Sequence, residues 1–149
     1  MAGLSGSCLC AKVTYESEGG AQMAAHCHCV DCRKSSGTGH CTHVVMVEDT
    51  VRIDGTLKFY DRPADSGNIV SRGFCPDCGS AVASRNSGMP GMLFLRASSL
   101  DDPETIRPVM SVYASRAASW DPVDPNLPSY AEVPEGGPEQ VIAEHSRGA

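Results

Sequence analysis

Seven of the chain's eight cysteines fall into three tight clusters: Cys8-Leu9-Cys10, Cys27-His28-Cys29-Val30-Asp31-Cys32 and Cys75-Pro76-Asp77-Cys78. Thiolates spaced this closely are arranged to share a metal ion, and soft sulfur ligands select zinc among the common cellular cations. A disulfide framework is the rival reading. It is disfavoured because C-x-C spacing rarely closes a bridge on itself. It also needs an oxidising compartment, whereas the opening Met1-Ala2-Gly3-Leu4-Ser5-Gly6 has no basic start and no apolar run of the secretory kind. The expected location is the cytoplasm, with reduced thiols and bound zinc.

The clusters divide unequally. Cys75-x-x-Cys78 supplies two ligands, and the following Gly79 suits the tight turn that aims backbone N–H groups at the sulfurs. Cys8 and Cys10 have no third thiol nearby in sequence. Pairing them with Cys75 and Cys78 gives a closed four-thiolate site, the structural kind. Cys27, Cys29 and Cys32 remain, three thiols within six residues. A three-ligand zinc keeps a position for water or substrate, the mark of a catalytic site. The alternative is closure by a fourth protein ligand, for which Cys41, His26, His28, His40 and His43 are the candidates. His28 lies between two ligands and is expected to point away from them. Cys41 reads most simply as a small buried thiol.

The elements that must carry these ligands are short. Strand-like runs cover Lys12–Glu16, Val44–Val47, Val51–Ile53, Leu57–Tyr60, Ile69–Phe74, Ala81–Ser84 and Met92–Arg96, each β-branched or aromatic and bounded by turn residues. Asp54-Gly55 predicts a hairpin turn between two of them. Helical turns are expected at Cys29–Ser35 and near Ser115–Ser119. The class is mostly β, in small antiparallel sheets. A chain of 149 residues is one domain, here 4–135, followed by a flexible acidic tail over 136–149. Gly and Pro number 15 and 10 and aromatics are only 5%, so the core is thin and bound metal must contribute folding free energy. The net charge of −6 argues against a nucleic-acid partner, and no stretch approaches a membrane span.

Other residues admit two readings. Arg33 and Lys34, next to the last thiol of the loop, can hold a substrate carboxylate or be solvated surface charges. Arg116 is read in the same way. Trp120, the single tryptophan, is expected to pack and anchor the late segment rather than form a substrate platform. Gly88-Met89-Pro90-Gly91 is a turn, not a phosphate loop.

These residues resemble the glutathione-dependent formaldehyde-activating family, or CENP-V/GFA domain. The resemblance rests on Gly6-Ser7-Cys8-Leu9-Cys10 with Val13-Thr14-Tyr15, on Cys27-His28-Cys29-Val30-Asp31-Cys32-Arg33-Lys34-Ser35-Ser36-Gly37, and on Gly73-Phe74-Cys75-Pro76-Asp77-Cys78-Gly79-Ser80. It continues in Ser115-Arg116, Trp120 and Leu127-Pro128 with Tyr130, and spans about residues 4 to 135. It implies a single Mss4-like domain of antiparallel sheets around a structural zinc. It implies two Zn²⁺ per chain, one on Cys8, Cys10, Cys75 and Cys78, the other a catalytic zinc on Cys27, Cys29 and Cys32. The implied activity is that of a carbon–sulfur lyase acting on thiol–aldehyde adducts, similar to S-hydroxymethylglutathione synthase. Its partners would be a small thiol such as glutathione and a small aldehyde such as formaldehyde. A non-catalytic, zinc-stabilised interaction module is the alternative within the same family.

Overall fold

The computed structural model describes residues 3–137, 140 and 142–144. Ten strands and one α-helix follow in order: β1 (Ser5–Ser7), β2 (Thr14–Ser17), β3 (Met23–Cys27), α1 (Val30–Ser36), β4 (Cys41–Val47), β5 (Val51–Asp54), β6 (Lys58–Pro63), β7 (Ile69–Phe74), β8 (Ala81–Asn86), β9 (Met92–Arg96) and β10 (Ser111–Val112). They form a three-stranded sheet, β1-β2-β5, and a seven-stranded sheet, β10-β3-β4-β9-β8-β7-β6. Every pair is antiparallel except β10 on β3. The mostly-β, single-domain expectation is met. Among the described residues, no helix is long and apolar enough to cross a membrane.

β4 and β9 form the centre of the large sheet because both faces of each are covered. On one face Val44, Met46, Leu93 and Leu95 are buried and pack with Leu4, Val13 and Tyr15 of the small-sheet side. Val44 pairs with Leu95 and Met46 with Leu93, so the alternation of the two strands is in phase. The other face carries His43 opposite Arg96 and Val45 opposite Phe94. β6 closes one side, and every one of its residues is exposed. Lys58, Asp61, Arg62 and Pro63 give it the charge and proline that keep an edge from recruiting another strand.

Two local expectations are corrected. Asp54-Gly55 does not close a hairpin: β5 pairs with β2 while β6 pairs with β7, so the turn carries the chain from one sheet to the other. Gly55 has φ +96°, and a Cβ there would lie 2.2 Å from the Lys12 carbonyl oxygen. Trp120 does not anchor the late segment, since its side chain is 68% exposed. That segment is held by backbone instead: Ser111 N–H donates to Pro128 O, Tyr130 N–H to Ser111 O and Tyr113 N–H to Glu132 O. The helical turns appear at Val30–Ser36 and, as a single 3₁₀ turn, at Ala114–Arg116. Of the tail read over 136–149, Gln140 and residues 142–144 are helical, and Ile142 packs with Val45 and Met89. Residues 138, 139, 141 and 145–149 lie outside the described residues.

Two substitutions probe this arrangement. Gly55→Ala is expected to destabilise the fold by about 2 kcal/mol or more, because positive φ and a backbone clash act together. Leu95→Ala, at a side chain with no exposure, is expected to cost about 2–5 kcal/mol. Both are read from denaturant midpoints at constant m-value.

Candidate metal centres and the cavity beside them

Cys8 and Cys10 follow β1, and Cys75 and Cys78 follow β7. One sulfur from each lies within 4.8 Å of the others. Cys8 Sγ is 3.6 Å from Cys10 Sγ, and Cys10 Sγ is 3.7 Å from Cys75 Sγ. A tetrahedral ion with zinc–sulfur bonds of about 2.3 Å sets its sulfurs about 3.8 Å apart. The four thiols therefore already have the spacing that a zinc ion requires. Val13 N–H donates to Cys8 Sγ at 3.3 Å, and Gly79, at φ +77°, closes the other turn with its N–H on Cys75 O at 2.8 Å. The Ser80 hydroxyl, with the backbone N–H groups of Ser80 and Cys10, holds the Cys78 thiol down to about 5. Leu9 N–H reaches Ser80 Oγ at 3.0 Å, tying one turn to the other.

The second group gathers at the end of β3. Cys27 closes the strand, Cys29 is the N-cap of α1, and Cys32 lies in its first turn. Cys29 Sγ accepts from Cys32 N–H at 3.3 Å. Gly37, at φ +81°, ends the helix one turn later. The three sulfurs lie within 4.8 Å of one another. Crowding splits their acidity. Hydrogen bonds from Cys27 and Cys32, with the Cys32 N–H and the charge of Arg72, hold Cys29 down to about 2. Cys27 is pushed up to about 12, chiefly by Cys29, and Cys32 is pushed up by Cys27, Cys29 and Cys41. One thiolate sharing its neighbours' protons is the state that a divalent cation replaces, releasing those protons. Both cysteine groups can thus hold a metal ion.

The candidates for a fourth ligand separate by strand alternation. His26 and His28 alternate with Cys27 and Cys29, and His28 forms a different group with His40 and Asp121. His28 does point away from the thiols. Burial, followed by the neighbouring charge of His40, lowers its basicity. Cys41 stands opposite Cys27 across β3 and β4, and His43 lies two residues on along β4. Cys32, Cys41 and His43 form a further group that shares only Cys32 with the first. His43 Nε2 is 3.3 Å from Cys32 Sγ. Cys41 makes contacts of its own. Its Sγ donates to Cys32 O at 3.1 Å and accepts from Nη1 of Arg96, a buried guanidinium that also donates to Ser35 Oγ at 3.2 Å. Cys32, then His43, then the Arg96 charge hold Cys41 down to about 4. Cys41 and His43 are thus the two fourth-ligand candidates that the fold brings beside Cys32.

The three thiols open onto a cavity of about 400 Å³, within the range of small-molecule sites. Its walls are largely apolar, with Met23, Val45, Met89, Phe94, Met110 and Val112 among them. Neither Arg33 nor Lys34 lines it. The cationic rim comes from Arg72, Arg85 and Arg116 instead. Arg85 is paired with Glu48, and Arg116 with Asp65 at 2.6 Å. Arg72 has no carboxylate partner among the described residues. Tyr113 also lines the cavity, in the left-handed region at φ 54°. Burial, and then the charges of Cys27 and Cys29, raise its phenol above the ordinary value. Arg72 and Tyr113 were not expected from the sequence. Tyr113 neighbours the Ser115-Arg116 motif, the one signal that could have pointed to it.

No curated protein matches the chain. A crystal structure of a Rhodobacter sphaeroides protein, solved as a Northeast Structural Genomics target, is similar at a TM-score of 0.55 and 18% sequence identity. The alignment covers 85% of this chain and 100% of that one. At that identity the likeness shows the fold. The family described as glutathione-dependent formaldehyde-activating enzyme matches residues 3–116. That match contains all three cysteine clusters and both thiol groups built from them, and the chain belongs to this family.

Proposed function

We propose that the chain is a zinc-dependent carbon–sulfur lyase-type enzyme that makes and breaks adducts between a small anionic thiol, such as glutathione, and an aldehyde. The observation that carries this reading is a three-thiol group opening onto an apolar cavity whose wall holds Arg72, an arginine with no carboxylate partner among the described residues. The reaction needs no oxidant. A carbon–sulfur bond forms as the carbonyl π bond breaks, and the thiol proton ends on the new hydroxyl oxygen. The reverse step returns both.

Zinc held by Cys27, Cys29 and Cys32 would supply Lewis acidity and keep an incoming thiol deprotonated at neutral pH. The remaining roles fall to the chain. Arg72 pairs with a carboxylate of the thiol substrate and sets its orientation. Tyr113, kept protonated, donates a hydrogen bond to the aldehyde oxygen. His43, the imidazole among the described lining residues, carries a proton at Nε2 between thiol and solvent. The apolar walls exclude water and favour an aldehyde with an apolar substituent over formaldehyde itself. The zinc of Cys8, Cys10, Cys75 and Cys78 would be structural. Zinc-bound, reduced cysteines of this kind accord with a reducing compartment such as the cytoplasm.

Cobalt exchanged into the chain reports this directly. Two cysteine-bound metals per chain are expected, and glutathione should shift the thiolate-to-metal bands of one of them only. Unshifted bands with every thiol tried would overturn the enzyme reading in favour of a metal-stabilised module. Replacing Arg72 by Gln is expected to weaken glutathione binding by about tenfold or more, as loss of a charged hydrogen-bond pair does. The same variant should bind 2-mercaptoethanol as the parent does. Equal weakening for both thiols would remove Arg72 from substrate recognition.

A further inference from the structure

On the side of β3 turned away from the thiols, residues just outside the strands bring together a second set of metal-ligating side chains. His26, His28 and His40 cluster there, with ring centroids of His26 and His40 at 4.9 Å and of His28 and His40 at 4.8 Å. Asp121 arrives from 81 positions along the chain and accepts from His40 Nδ1 at 2.6 Å. We propose that His28, His40 and Asp121 form a third metal site, separate from both cysteine groups, for a divalent transition-metal ion such as Zn²⁺, Co²⁺ or Ni²⁺.

Four observations carry this. One ring nitrogen of each histidine and one carboxylate oxygen lie within 4.8 Å of one another. Zinc with ligands at about 2.0–2.1 Å sets such atoms roughly 3.4 Å apart, so the wider pairs close in while the His40 Nδ1–Asp121 Oδ2 contact, 2.6 Å without the ion, opens. His28 is only 2% exposed, and its Nδ1 has no hydrogen-bond partner. A buried ring nitrogen without a partner is uncommon and asks for a ligand. The approach of Asp121 is built in as well. A Cβ at Gly39 would lie 2.2 Å from Asp121 Oδ2, so only glycine there lets the carboxylate reach His40. Lastly, His26 walls the cluster and is itself held, with Nδ1 2.8 Å from Thr42 Oγ1.

Two imidazoles and one carboxylate suit borderline ions better than Mg²⁺ or Ca²⁺, which demand more oxygen donors. The site shares no residue with the thiol groups. His40 and Asp121 are partly exposed, with side chains 28% and 21% accessible, so an ion can enter without opening the core. Once bound, it would fasten the turn before β4 to the 118–121 segment.

The test uses full-length chain with its cysteines already loaded with zinc. Zinc is then added in excess while the imidazole nitrogens are followed by ¹H–¹⁵N spectroscopy. One further equivalent per chain is expected, with the ring signals of His28 and His40 shifting together. Co²⁺ added the same way should bind without a thiolate charge-transfer band. His40→Gln and Asp121→Asn should each weaken that extra equivalent by about tenfold or more while cysteine-bound metal stays unchanged. Histidine signals that do not move in the parent chain under excess zinc would overturn the site, whatever the variants do. So would an extra equivalent that survives unchanged in both variants.

Discussion

The register of β3 on β4 decides what every chemically active side chain can face. Cys27 stands opposite Cys41 and Ala25 opposite His43, while Ala24 pairs with Val44 inside the core. Because successive side chains point to opposite faces, the thiols share one side with His43 while His26 and His28 turn to the other. The core residues Val44, Met46, Leu93 and Leu95 hold β4 in register with β9, since a slip by one position would turn them to the thiol face and set His43 and Arg96 against apolar neighbours. Packing on one face thus secures chemistry on the other.

Around that pairing the buried polar groups form a connected support. Arg96 sits opposite His43, reaches Cys41 with one amino group and Ser35 of α1 with the other. It links the central strands to the helix whose first turn carries Cys32. A guanidinium so deeply buried requires hydrogen-bond partners, and Cys41 Sγ and Ser35 Oγ supply them. The eighth cysteine is thereby tied both to a bracing arginine and to the thiol loop.

Much of the site was legible because cysteine spacing is a local, discrete signal. The seven clustered cysteines gather into two groups that could each hold a metal ion. The strands rich in valine and isoleucine were legible for a similar reason. β3 was not: Met23-Ala24-Ala25-His26-Cys27 has no β-branched residue, and only its neighbours β4 and β10 make it a strand. Asp54-Gly55 has hairpin chemistry, yet the flanking strands belong to different sheets, a choice made by tertiary pairing. Arg72 looked like one more strand arginine, because only the fold shows that nearby Arg85 and Arg116 are already paired. Asp121 could not be joined to His40 by any local pattern. Trp120 misled because size usually implies burial, whereas here backbone bonds do the anchoring.

The two thiol groups differ sharply in how far apart their members lie along the chain. Cys27, Cys29 and Cys32 are neighbours, so their assembly closes almost no loop. Cys10 and Cys75 meet across 65 positions, a closure whose entropy must be met before the contact can reward it. During synthesis from the N-terminus, the local group can capture an ion while the ribosome still holds Cys75 and Cys78. Cys8 and Cys10 must wait as a two-thiol fragment until the second knuckle emerges. The order of metallation would then run opposite to rank: the site expected to do chemistry fills first, and the one that fastens the fold completes it last.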